Sequence, residues 1–225
     1  MTILSVKNLQ KHYFVPGEGK QVILDIENFE LLKNEQIALK GSSGCGKSTF
    51  LNAIAGITTF DKGTIDVDGT EISILSESQR DKLRGQKIGY IFQSFHLLPG
   101  YTALENVILG MSFSGNINYD LAKDLLIRVG LEDRILHTPG QLSVGQRQRV
   151  AIARALANNP CLVLADEPTA NLDTELSQAV IELIKQLCKE QNAAMLLVTH
   201  DDQILNQFGS IKNLETINKA YGAKL

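Results

Sequence analysis

The chain has 225 residues, 44% of them hydrophobic, enough for one large α/β domain or two small ones, and the expectation is one compact body with a sub-lobe. Its 22 basic and 25 acidic residues are spread along the chain with a formal net charge of −3, so no long-range field favours nucleic acid and that class of partner is set aside. The longest apolar stretches, such as 193–198, fall short of the roughly 20 residues of a membrane span, the N-terminus lacks the apolar core of a secretory signal, and Cys45, Cys161 and Cys188 show no metal-ligand spacing, so a reduced, cytosolic protein is expected.

Short β-like runs at 2–9, 21–29 and 35–40 come first, and the apolar segment 48–57 predicts a helix packed on a sheet. Between strand and helix lies "GSSGCGKST", Gly41 to Thr49, which fits G-x-x-x-x-G-K-[ST] in the context that pattern needs. Glycines let such a loop wrap phosphates with its N–H groups inward, and the helix N-terminus adds partial positive charge. Gly41, Ser42, Ser43, Gly44, Cys45, Gly46, Lys47, Ser48 and Thr49 are therefore assigned to nucleotide, with Lys47 on the β and γ phosphates and the Ser48 hydroxyl on Mg²⁺. Cys45, beside Lys47 and a helix N-terminus, also raises the reading of a redox-sensitive thiol, against the plainer one of a small residue at a variable loop position.

Residues 63–73 alternate apolar and polar around Asp68-Gly69, which suggests a hairpin, and 87–93 reads as a strand ending at Gln93. From 95 to 159 the pattern turns helical, in 103–110 and 119–130 among others, and this span is read as a helical subdomain inserted into a core made of 1–94 and 160–225. Inside it "LSVGQ", 142–146, sets a Ser before a helix with a Gly two positions later, which looks like a second anion site. Strand character returns at 161–166. The helix 175–190 places Leu176, Val180, Leu183, Ile184 and Leu187 on one face, and 194–200 is another buried strand. Apolar strands alternating with helices indicate a mainly parallel sheet covered on both faces.

A phosphate loop needs an acid at the end of a neighbouring strand for its metal, and Asp166 stands there with Glu167 next to it. Adjacent residues at a strand end point differently, so Asp166 is assigned to Mg²⁺ and Glu167 to general base. Gln93 and His200 also close strands, where side chains open into the crevice of an α/β sheet. Gln93 is expected to position the water or complete the metal shell. His200 is expected to donate a hydrogen bond to the γ phosphate, the alternative being a structural cap.

This set, in this order, closely resembles the nucleotide-binding subunit of ATP-binding cassette (ABC) transporters: a Walker A loop, a Gln loop, "LSVGQ" as signature sequence, a Walker B strand ending in Asp-Glu, "NLD" at 171–173 as D-loop, and a switch His. The resemblance spans essentially the whole chain, and "QSFHLLPGYTALENV" with "LADEPTANLD" is similar to the exporter branch of lipoprotein-release and macrolide-export ATPases. It implies an α/β fold of the P-loop NTPase (RecA-like) type: a mainly parallel sheet core with an antiparallel β region and the inserted helical subdomain.

It further implies ATP and Mg²⁺, hydrolysis in a head-to-tail dimer with a second copy or a homologous ATPase, and a separate integral membrane permease on whose cytoplasmic face the subunit sits. Each ATP would lie between the phosphate loop of one subunit and Ser143, Gly145 and Gln146 of the other, with Asp173 crossing the interface. Tyr13 matches the aromatic that stacks on adenine, with Phe14 as fallback. Two positions depart from the pattern, Val144 and Ala170, where the family usually has Gly. A β-branched residue at positive φ would be an outlier, so Val144 predicts ordinary backbone there and leaves Gly145 as the point of closest approach. The roughly 25 residues after His200 leave little room for a regulatory domain. A non-transport ABC ATPase remains the alternative; a small-molecule P-loop kinase would not explain LSVGQ, NLD and His200 in order.

Overall fold

The computed structural model describes residues 1–17 and 19–222; residue 18 and the last three positions assigned to the core, 223–225, lie outside the described residues. In chain order the elements begin with β1 (Thr2–Val15), β2 (Gly19–Leu32), β3 (Gln36–Lys40), α1 (Lys47–Ile54), β4 (Lys62–Val67) and β5 (Thr70–Glu71). There follow α2 (Glu77–Lys87), β6 (Ile88–Ile91), α3 (Ala103–Ser112), α4 (Tyr119–Arg128) and α5 (Val144–Leu156). The chain then runs through β7 (Leu162–Asp166), α6 (Thr174–Glu190), β8 (Ala194–Thr199), α7 (Asp202–Leu205), β9 (Ile211–Asn213), α8 (Leu214–Ile217) and α9 (Lys219–Gly222).

One sheet is parallel, in the order β6-β7-β8-β3-β9; the other is antiparallel, β2-β1-β4-β5. Because successive side chains leave opposite faces of a strand, the parallel sheet feeds two separate cores. Val163, Ala165, Met195 and Leu197 point to one side, where they meet Val107, Leu125, Val150, Ile152 and the apolar face of α6. Leu162, Leu164, Leu196 and Val198 point to the other, against α1 residues Phe50, Leu51 and Ile54 and the inner face of the antiparallel sheet. Both faces are covered, which is why β7 and β8 are buried at every position.

The hairpin at Asp68-Gly69 forms as expected, with φ of 48° and 75° at its two central residues. Four details differ from the sequence reading. The strand expected to end at Gln93 stops at Ile91, so Gln93 stands on the loop beyond it. The buried stripe of α6 is rotated: Ser177, Val180, Ile181, Ile184, Leu187 and Cys188 are inside, while Leu176 is exposed. Helix α2 was not foreseen, since Leu83 is its one buried residue and no apolar periodicity marks it. Its start is nevertheless written in the chain as a capping box, Ser76 Oγ accepting from Gln79 N–H and Gln79 Oε1 from Ser76 N–H. The segment after β8, with β9 and three short helices, was also unforeseen.

Strand β6 lies so close to α5 that a Cβ on Gly89 would sit 2.4 Å from the Ala155 carbonyl oxygen, whereas one on Gly100 would meet nothing within 4 Å. Gly89→Ala should therefore lower the unfolding free energy by about 1–3 kcal/mol. Gly100→Ala should stay near wild type in the same urea titration, and equal midpoints for the two variants would contradict the packing described.

Candidate functional site

Strands β3, β7 and β8 all end at one edge of the parallel sheet, so the residues that follow them meet. The loop after β3 runs from Gly41 to Gly46 and turns into α1 at Lys47. Gly46 makes that turn at φ 102°, and Gly44 has φ 79° with no atom within 4 Å of where a Cβ would be. The loop is thus shaped as an open cradle that side chains at these two positions would strain or fill.

Lys47 folds back over the loop: its Nζ donates to the carbonyls of Gly41 (2.8 Å) and Ser42 (3.0 Å) and lies 3.3 Å from Glu167 Oε1. Glu167 has φ 45°, a left-handed backbone that swings its carboxylate away from the line of β7. Oε1 also meets His200 Nδ1 at 2.8 Å, and Oε2 accepts from the Thr199 hydroxyl at 3.1 Å. Lys47, Asp166 and Glu167 are each less than a tenth exposed, while the His200 side chain is largely in solvent.

Asp166 faces differently. Burial pushes its carboxyl above the usual range and the charge of Glu167 adds to that, against a hydrogen bond from the Ser48 side chain and the attraction of Lys47. Its Oδ1 is buried and has no hydrogen-bond partner among the described residues. A buried carboxylate oxygen without a donor is costly unless a cation meets it, and the hydroxyl beside it is the other ligand a hard divalent ion needs. Ser48 and Asp166 therefore fit Mg²⁺.

The cleft, about 290 Å³, is lined by Ile23, Ser43, Gly44, Gly46, Lys47, Ser48, Thr49, Gln93, Glu167 and His200. Phosphate loop, carboxylate, Gln93 and His200, far apart in sequence, thus come together. The Gln93 carbonyl accepts from Asn171 Nδ2, and the loop after it is clipped to α5 by Arg154, whose guanidinium donates to the carbonyls of Phe95 (2.7 Å) and His96 (2.6 Å).

Other expected residues lie elsewhere. Tyr13, on β1, does not line the cleft; it is exposed, with Lys11 Nζ 4.9 Å from its ring centre, and Phe14 is more exposed still. Gly41, Ser42 and Cys45 belong to the loop but not to the cleft wall. The Cys45 thiol is buried where a Cβ on Gly41 would touch it at 2.5 Å, and burial raises its pKa more than Lys47 lowers it. Asp173 caps α6, accepting from Leu176 N–H at 2.9 Å. Ser143 and Gln146 form a capping box on α5, each side chain accepting the other's backbone N–H. Val144 and Ala170 both lie outside the positive-φ residues, as ordinary backbone requires. Sequence reasoning missed Thr199 and Ile23; a Thr before His200 carries no distinguishing pattern, and Ile23 reads as plain strand.

Residues 24–170 match the ABC transporter family. The lipoprotein-releasing system ATP-binding protein LolD of Pseudomonas syringae pv. tomato is 43% identical over 216 residues, 95% of each chain. LolD of Hydrogenovibrio crunogenus is 46% identical over 202 residues, 88% of this chain and 87% of that one. Among solved structures, the dimeric post-hydrolysis state of the ATP-binding cassette MJ0796 bound to ADP and Pi superposes with a TM-score of 0.86 at 36% identity, covering 97% of this chain and 95% of that one.

The surroundings of Cys45 argue against a reactive thiol. Iodoacetamide at neutral pH should label Cys45 in the native protein more than about tenfold more slowly than in the urea-unfolded chain, since burial suppresses both access and thiolate. Mass spectrometry of the labelled peptide measures this, and equal rates would restore the redox reading.

Proposed function

This chain belongs to the ABC transporter family as an ATP-binding, ATP-hydrolysing subunit, and we propose that it works as a head-to-tail dimer whose two sites are each assembled from both copies. The observation that carries this is Gly145. It sits in the first turn of α5, and Gly is a poorer helix former than Ala, yet a Cβ there would meet only Leu176 Cδ1, at an unstrained 3.8 Å. Among the described residues nothing requires glycine there. An approach from outside does, and the α5 N-terminus with Ser143 and Gln146 is not part of the cleft in its own chain.

In this reading the phosphates lie in the cradle of Gly44 and Gly46 and draw the Lys47 ammonium onto the β and γ oxygens. Ser48, Asp166 and Gln93 would hold Mg²⁺, which when bound would neutralise charge on the phosphates. Glu167, released from Lys47, takes a proton from the attacking water. Thr199 and His200 fix the direction of that carboxylate, and His200 turns to donate to the γ phosphoryl group as charge builds there. Tyr13 stacks on adenine at the rim, and Asp173, at the head of α6, reaches toward the opposite site.

The coupled partner is an integral membrane permease that docks from the membrane side, which places the subunit peripherally on the cytoplasmic face. Its landing site is the groove of about 420 Å³ between the core and the helices of 95–159, whose walls include Tyr90, Phe92, His96, Phe113 and Arg154. From the names of its relatives, the work done is release of a lipid-anchored polypeptide from the membrane.

Glu167→Gln keeps the shape and removes the base, so turnover should fall at least about a hundredfold while ATP still drives dimer formation in gel filtration. Hydrolysis at the normal rate would refute the assignment. Gly145→Asp, which puts bulk and charge at closest approach, should cut ATPase activity more than Val144→Gly; similar activities would defeat the dimer argument. Co-purification of a polytopic membrane protein tests the transport role, and a partner without a translocation path would favour a non-transport ATPase.

A further inference from the structure

We propose that residues 214–221, which supply no atom to the cleft, are a strap that sets the phosphate loop from outside, with Asn218 and Glu215 as positioning residues for nucleotide binding. This rests on the reading of Gly41 to Thr49 as a phosphate loop. Asn218 is 1% exposed and bridges β2 and the loop. Its Nδ2 donates to the carbonyls of Ile23 (2.9 Å) and Cys45 (3.1 Å), and its Oδ1 accepts from Asp25 N–H (2.8 Å). Glu215 Oε1 accepts from Ser42 N–H (2.8 Å), and the Tyr221 hydroxyl meets Ser42 Oγ at 2.9 Å.

The planarity of the peptide bond turns these contacts into a statement about the cleft. In a trans peptide the C=O and the next N–H point in opposite directions. Asn218 pulls the Cys45 carbonyl outward, so Gly46 N–H must face the cleft that Gly46 lines. Glu215 holds Ser42 N–H on the outside, so the Gly41 carbonyl faces the other way, where it accepts from Lys47 Nζ. Each outer contact thus fixes an inner group: a phosphate donor in one case, the seat of the ammonium in the other. Converging N–H dipoles repel one another, and a loop held in that arrangement before ligand arrives binds more tightly than one that must order on binding. The carboxyl of Glu215 is held below its usual range by the hydrogen bonds from Ser42, with Lys47 contributing, as expected if it stays ionised in this contact.

The test uses the purified chain titrated with ADP and Mg²⁺, alongside ATPase kinetics. Glu215→Ala, a change at a half-exposed position, should raise the dissociation constant about tenfold and raise KM more than it lowers kcat. Glu215→Gln keeps an acceptor for Ser42 N–H and should recover most of that loss. Asn218→Ala should act in the same direction at least as strongly. Lys219→Ala, which removes the strap's surface ion pair with Glu27 and no loop contact, serves as control and should bind as wild type does. If Lys47→Ala abolishes binding while the Glu215 and Asn218 variants lose only melting temperature, the strap is structural and the proposal falls. If Lys47→Ala binds normally, the phosphate-loop reading fails and the strap with it.

Discussion

Three ionisable side chains, Lys47, Asp166 and Glu167, are withdrawn from water together at one edge of one sheet, and any charge out of water must be matched. Lys47 matches one carboxylate, Glu167, at 3.3 Å. The other, Asp166, is left with a Ser48 hydroxyl and a bare oxygen. Two carboxyl groups against one amine leave this edge short of a cation, and the pKa of Asp166, which burial raises, is the mark of that shortage. A divalent cation held by Ser48 and Asp166, as proposed above, would supply it. Much of the fold serves this concentration of charge: the parallel order that brings β3, β7 and β8 to a common edge, the left-handed turn at Glu167, and the apolar layers on both faces that make the edge rigid.

In the proposed dimer the complement to this edge is the N-terminus of α5. Its capping box uses Ser143 and Gln146 on each other, so the helix closes its own first turn while its outer face stays free. Arg154, further along α5, grips the backbone just past Gln93. One helix therefore carries Ser143 and Gln146 at its start and, near its end, the grip on the loop that borders the groove of Tyr90, Phe92 and His96. In the dimer and permease complex proposed above, α5 would be the single element that links the groove to the partner's site.

Much of the fold was legible because burial writes period into sequence. The apolar strands β7 and β8, the helices of 95–159 and the Asp68-Gly69 turn each carry their own signal. So does the cluster of phosphate loop, Asp166, Glu167, Gln93 and His200, whose residue types are forced by chemistry. Helix α2 was not legible because it buries one leucine and is held by caps. The face of α6 was misjudged at Leu176, since a helix of 17 residues with leucines and isoleucines on several sides allows more than one stripe, and only contact with the sheet selects Ser177 and Ile181. Thr199, Glu215 and Asn218 were invisible for a different reason. Each acts by holding a backbone group or another side chain, and such work leaves no spacing to recognise.

The separation in sequence of the loop and its outer contacts bears on how the protein comes to be made. Ser42 and Glu215 are 173 positions apart, as are Cys45 and Asn218. During synthesis from the N-terminus, the loop leaves the ribosome long before the residues that hold it, and closing so long a connection is among the slower steps of folding. Until those residues arrive the loop lacks its outer supports. If residues 214–221 set the loop as proposed, competence for nucleotide follows their arrival and is a late event of maturation.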